Sequence, residues 1–171
     1  MKIIIPVALF ILLSAFSTFA QTNCTRHVEP VGRFSFCPPE GWTAEVSPSS
    51  PYKTFFAPQD GTNMNVKEER VTVSNSEYMA AALKLLLGDN ESLGPEATKV
   101  VGWTDFTTTS NIHGSRMVYE KLYKGISLRI IQFVFDLPGR KLLLTGTGRE
   151  SSKTLNDKIF DDVARSLKLT P

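Results

Sequence analysis

Oxygen-bearing side chains gather in one short stretch, PYKTFFAPQDGTNMNVKEERV, residues 51–71. Asp60 and Asn63 flank Gly61, and Glu68 and Glu69 follow on the run beyond it. Hard oxygen donors of this kind suit a divalent cation such as calcium or manganese. Their spacing is not that of an EF-hand loop, and a turn by itself explains Gly61. On a regular strand Glu68 and Glu69 also point to opposite faces. The stretch therefore reads first as a hairpin. Asp60, Asn63, Glu68 and Glu69 become a weak cation or small-ligand site only if folding gathers their oxygens.

Other constellations are thinner. NIHGSR sets His113 two residues before Ser115, so on a strand they share a face about 7 Å apart, too far for a direct nucleophile–base bond. With no G-x-S-x-G elbow in the chain, a hydrolase is the least favoured reading, and no catalytic residue is assigned. GTGRESSK, residues 146–153, places glycines before a helix start, where backbone N–H groups can meet an anion. It is neither a dinucleotide fingerprint nor a P-loop, and a strand end followed by a serine cap accounts for it. Arg116, Lys121, Lys124 and Arg129 cluster with Tyr119 and Tyr123 in one hairpin. Acidic residues elsewhere balance them, so nucleic acid is not the expected partner, and a solvated sheet edge is the expected setting. No cofactor is implied.

The elements that must hold these groups are mostly short extended runs. Phe34 and Phe36 alternate, Pro38 to Gly41 turns the chain, and Trp42, Ala44 and Val46 alternate again. A Ser/Pro connector over 47–51 leads to runs at Lys53–Ala57 and Asn63–Val73. In the second, Met64 and Val66 are out of phase with Val71 and Val73, which predicts a bulge near Lys67–Glu69. SNSEYMAAALKLLLG then reads as a helix, with Ser74 and Glu77 at capping-box spacing and Gly88 past its last turn. After a polar loop over 89–98 come Lys99–Thr108, Ile112–Tyr123, Ile126–Asp136 and Arg140–Thr147. The turns between them are short, which forces antiparallel neighbours. The third of these runs is apolar on both faces, with Leu128, Ile130 and Val134 on one and Ile131, Phe133 and Phe135 on the other. It must be a central strand covered on both sides. Leu155, Ile159, Phe160, Val163 and Leu167 set a final helix over 152–167. The fold class is α+β: a mostly antiparallel sheet flanked by helices, an α/β/α sandwich.

The first 20 residues carry a lysine, an apolar run from Ile3 to Phe16 and small residues at Thr18 and Ala20, and read as a cleaved secretory signal. Secretion or a periplasmic location is therefore expected, with no later transmembrane segment. Losing Lys2 lowers the formal charge from +2 to +1, which gives no electrostatic case for nucleic acid or anionic membrane. Two cysteines, Cys24 and Cys37, lie in the exported part and read as a disulfide tying residues 21–32 to the domain over 33–171. Asn23 and Asn90 begin glycosylation sequons.

Several phrases in this order resemble the PsbP family and its DcrB-like bacterial relatives. GRFSFCPPEGWT looks like the family's strand, proline-rich turn and Gly-Trp. TFFAPQDGTNMNV is similar to its aromatic strand, proline and second strand. SEYM falls where the first helix begins. PGRKLLLTGTG resembles the last long strand, and VARSLKL the terminal helix and its strand-like tail. The likeness covers about residues 33–169. It implies an antiparallel sheet between helices, and binding rather than catalysis. Photosynthetic members are lumenal accessory proteins of photosystem II linked to manganese and calcium retention; others serve in the envelope, as chaperones, or as a partner of a nuclear-transport GTPase. This chain departs from the photosynthetic branch in its bacterial-type export signal, its missing basic N-terminal extension and its cysteine pair. The resemblance thus implies a protein partner or envelope complex and carries over no metal ligand.

Overall fold

The computed structural model describes residues 24–46, 50–88 and 98–171. The expected signal over 1–20, both sequon asparagines, residues 47–49 of the connector and residues 89–97 of the polar loop lie outside the described residues. Seven strands form one antiparallel sheet: β3 (Thr43–Val46), β4 (Lys53–Phe56), β5 (Asn63–Glu69), β9 (Arg140–Arg149), β8 (Ile126–Leu137), β7 (His113–Tyr123) and β6 (Lys99–Thr107), in that spatial order. A second sheet sets β2 (Phe34–Phe36) between β1 (His27–Glu29) and β10 (Lys168–Leu169). Among the described residues the helices are α1 (Asn75–Gly88) and α2 (Lys153–Arg165), the latter entered through a 3-10 turn at Glu150–Ser152. This is the expected α+β sandwich. No helix among the described residues is long and apolar enough to cross a membrane.

The two-faced β8 organises the layers. Ile131, Phe133 and Phe135 enter a large core with Phe160, Val163, Ala164 and Leu167 from α2 and with Phe34, Phe36 and Phe55. Val134 points the other way, into a small core with Met79, Met117 and Leu143 beneath α1. β8 is paired on both sides, as its composition requires, although β9 is the middle strand of the seven.

The capping box forms as its spacing predicts. Ser74 Oγ accepts from Glu77 N at 3.2 Å, and Glu77 Oε2 accepts from Ser74 N at 2.9 Å. The cap expected for the second helix does not form: Ser152 makes no side-chain cap bond, and Glu150 pairs with Lys153 instead. Leu155, expected in the core, is 62% exposed, and Asn156 is buried in its place. The reason lies in the sheet. A Cβ on Gly146 would sit 2.4 Å from the Phe160 ring, and one on Gly148 would sit 2.3 Å from the Asn156 amide. The two glycines let α2 lie close against β9, which sets the helix phase and accounts for the GTG motif without a ligand.

Other expectations are corrected by pairing. β5 matches β9 residue for residue from Asn63↔Thr147 to Glu69↔Lys141, so no bulge lies at Lys67–Glu69. β9 begins at Arg140, so the ladder runs out there and Val71 and Val73 fall beyond the strand. The irregularity sits instead in β6, between Val100 and Gly102. β3 forms, but as an edge strand with no buried face, and Val46 is exposed. Arg116 and Arg129 are not on a solvated edge. β7 and β8 are interior, and both guanidiniums reach α2: Arg129 bidentately to Asp157 (2.8 Å to each oxygen) and Arg116 Nε to Asp161 at 2.7 Å. These pairs fasten α2 from above while its apolar face fastens it from below.

Candidate functional site

Cys24 and Cys37 are joined in a disulfide, with Cα atoms 5.7 Å apart. Arg26 reinforces the same corner, donating to the Ser35 carbonyl at 3.0 Å and the Ser166 carbonyl at 2.7 Å. The N-terminal segment thereby contributes β1 to the fold rather than hanging from it.

The four oxygen donors of the 60–69 region do not converge. Asp60 has φ 65 and its carboxylate accepts from Thr62 N at 3.0 Å; Asn63 donates to the Gly61 carbonyl at 3.1 Å. Both serve the turn. Glu68 and Glu69 lie at the other end of β5, about 16 Å away at the usual strand rise, and in regular register they point to opposite faces. Among the described residues, no group of three or more His, Cys, Asp or Glu side chains could hold a metal ion. His113 and Ser115 share a face of β7; His113 meets Thr107 Oγ1 at 3.2 Å, Ser115 is buried, and Asp105 lies across from it on β6.

What the structure does assemble is a matched pair of glutamate–tyrosine–cation clusters on the two sides of β5. On the α2 side, Glu68 Oε2 accepts from Tyr52 Oη at 2.7 Å and from Arg140 Nη1 at 2.7 Å. Burial, then the bond to Glu68 and its charge, push the Tyr52 phenol up from 10.0 to about 12. Arg140 also donates to the Gly32 carbonyl at 2.7 Å. These residues floor a concavity of about 500 Å³ that Arg33, Arg70 and Leu169 help to wall.

On the α1 side, Glu69 accepts from Lys67 Nζ at 2.6 Å and from Tyr78 Oη at 2.8 Å. Burial alone would raise the Glu69 carboxyl, but these two bonds and the Lys67 charge hold it below the ordinary 4.5. Burial and the bond to Glu69 raise the Tyr78 phenol above its ordinary 10.0. Beside them a groove of about 220 Å³ opens between α1 and the sheet, walled by Leu85, Leu86, Tyr119 and Leu143. Its outer lip is apolar: Leu85 is 81% exposed. Lys141, fully buried beside Glu69 in the register, lies 2.9 Å from Asp136 Oδ1, without a well-directed hydrogen bond.

Sequence reasoning found Glu68 and Glu69 but none of their partners. Arg140 lies 72 residues from Glu68 in sequence, and Tyr52 lies 16. The available signal was the α1 composition: leucines run all round the helix at Leu83, Leu85, Leu86 and Leu87, more than one buried face can use.

The fold has clear counterparts among solved structures. The cyanobacterial PsbP protein CyanoP of Synechocystis superposes with a TM-score of 0.64 at 15% identity, covering 84% of this chain and 91% of that one. LpqN of Mycobacterium tuberculosis, described as involved in cell envelope biogenesis, gives 0.59 at 12% identity over 81% of this chain and 83% of its own. The protein Mog1 gives 0.56 at 11% identity, covering 87% of this chain and 97% of that one. No protein-family model and no curated protein matches the chain by sequence. At these identities the likeness concerns the fold, and the fold is PsbP-like.

Proposed function

We propose, with the PsbP-like fold as premise, that the chain is an exported, non-enzymatic accessory module that seats a protein partner on the α1 side of its sheet. The carrying observation is α1 itself. Only Met79 of the helix is buried, while Leu85 stands exposed on the lip of a groove that Leu86, Tyr119 and Leu143 line. Exposed apolar side chains contiguous with a concave apolar wall are the usual anchor of a protein contact. Lys67 and Glu69 at the groove's edge provide the polar rim such contacts carry. Export is supported by the Cys24–Cys37 disulfide, a bond that persists in oxidising compartments. An accessory role is supported by the fold's company, a PsbP protein and an envelope-biogenesis protein. The acidic and phenolic groups of both clusters are held by structural partners, which favours binding over turnover.

A photo-cross-linking side chain placed at Lys67, on the rim of the groove, in the native host envelope, tests this. A single adduct of reproducible mass is expected there, absent when the probe sits at exposed Lys158 on α2 and lost when Leu85→Asp is added. Equal labelling at both positions, or a reproducible turnover of substrate by the purified chain, overturns it.

A further inference from the structure

The concavity on the opposite side of β5 has charges to spare. Arg140 and Glu68 neutralise one another at its floor. Arg33, at the turn between β1 and β2, and Arg70, just past β5, both line it, and their guanidiniums have no partner among the described residues. Exposed arginines are ordinary on a flat surface. Here they share a hollow of about 500 Å³, within the range of small-molecule sites. Arg33 holds its place by the β1–β2 turn, at φ 52, as Asp60 and Lys124 do in theirs at φ 65 and 50.

We infer that this hollow binds a small amphiphilic oxyanion, a carboxylate or phosphate group carried on a short apolar body. The two unpaired guanidinium forks match either head group bidentately. Val31, Leu137 and Leu169 supply the apolar wall, and Val31 and Leu169 stand well exposed in the protein alone. The site is separate from the α1 groove: β5 divides them, and consecutive residues Glu68 and Glu69 face one each.

The test is a backbone-amide NMR titration of the disulfide-bonded chain with inorganic phosphate, hexyl phosphate and hexanoate. Saturable shifts are expected at Val31, Arg33, Arg70 and Gly139. Hexyl phosphate should bind more tightly than inorganic phosphate, and its comparison with hexanoate names the head group. Losing one charge-assisted contact is worth about tenfold in affinity, so Arg33→Gln and Arg70→Gln should each weaken binding by that much. Glu68→Gln removes the hollow's one negative charge while keeping an acceptor for Tyr52 and Arg140, and should tighten binding. Leu85→Asp should leave it unchanged. Absence of saturable shifts with all three probes, shifts that both arginine variants leave unaltered, or weakening by Glu68→Gln overturns the inference. Arg70 is exposed and past the end of its strand, so its variant reports even if Arg33→Gln disturbs the turn.

Discussion

The two faces of the seven-stranded sheet are finished in different ways. On the α2 face, a phenylalanine-rich core runs from the small sheet to the terminal helix, and Arg116 and Arg129 lock that helix by ion pairs to Asp157 and Asp161. On the α1 face, four buried side chains hold a helix that leaves leucines in the open. Neighbouring glutamates repeat the contrast in miniature. Each takes a tyrosine hydroxyl and a cation, but Glu68 looks into a hollow with surplus arginines and Glu69 looks toward an apolar groove. One face therefore carries most of the buried core, and the other leaves apolar side chains exposed.

Cavity substitutions break or sharpen that contrast most strongly. Phe160→Ala should cost about 4 kcal/mol in urea unfolding, and Met79→Ala about 2 to 3 kcal/mol because the thin face can collapse around the gap. A larger loss for Met79→Ala would invert the comparison. Next come the phenols. Tyr52→Phe and Tyr78→Phe each remove a hydrogen bond to a carboxylate, worth about 2 kcal/mol in the same assay.

The two tyrosines also differ from an unfolded chain in pH response. Folding raises the Tyr52 phenol from 10.0 to about 12, so its contribution is intact below pH 10 and lost as pH climbs toward 12. Stability should fall across that window, and Tyr52→Phe should flatten the fall. Glu69 has the opposite sign. Its carboxyl is depressed below 4.5, so its contribution is present above that value and lost as pH drops below it. Glu69→Gln should flatten the acid limb of the stability curve. The smallest expected change is the most telling for function: Leu85→Asp should alter stability by less than about 0.5 kcal/mol while abolishing the cross-link at Lys67.

What was legible in the sequence were features written within a few residues. The capping box at Ser74 and Glu77, the two-sided apolar pattern of β8 and the short turns each express local geometry. Distant partners were not legible. Nothing near Arg129 announces Asp157, and Asn156 reads as surface until Gly148 is seen beneath it. The opposed faces of Glu68 and Glu69 followed from strand period, whereas the bulge at Lys67–Glu69 was inferred from Val71 and Val73, which lie past the end of the ladder. Both hollows combine segments far apart in the chain, so no window of sequence contains either one.

The three-stranded sheet has a consequence for how the protein is made. β2 lies between one strand from the beginning of the fold and another from its far end, and Arg26 grips the Ser166 carbonyl 140 residues away. Such a seam cannot shut while the ribosome is still adding β9 or α2. The small sheet therefore closes last, once β10 has been synthesised, and joins the two ends of the fold only when all the rest of it exists.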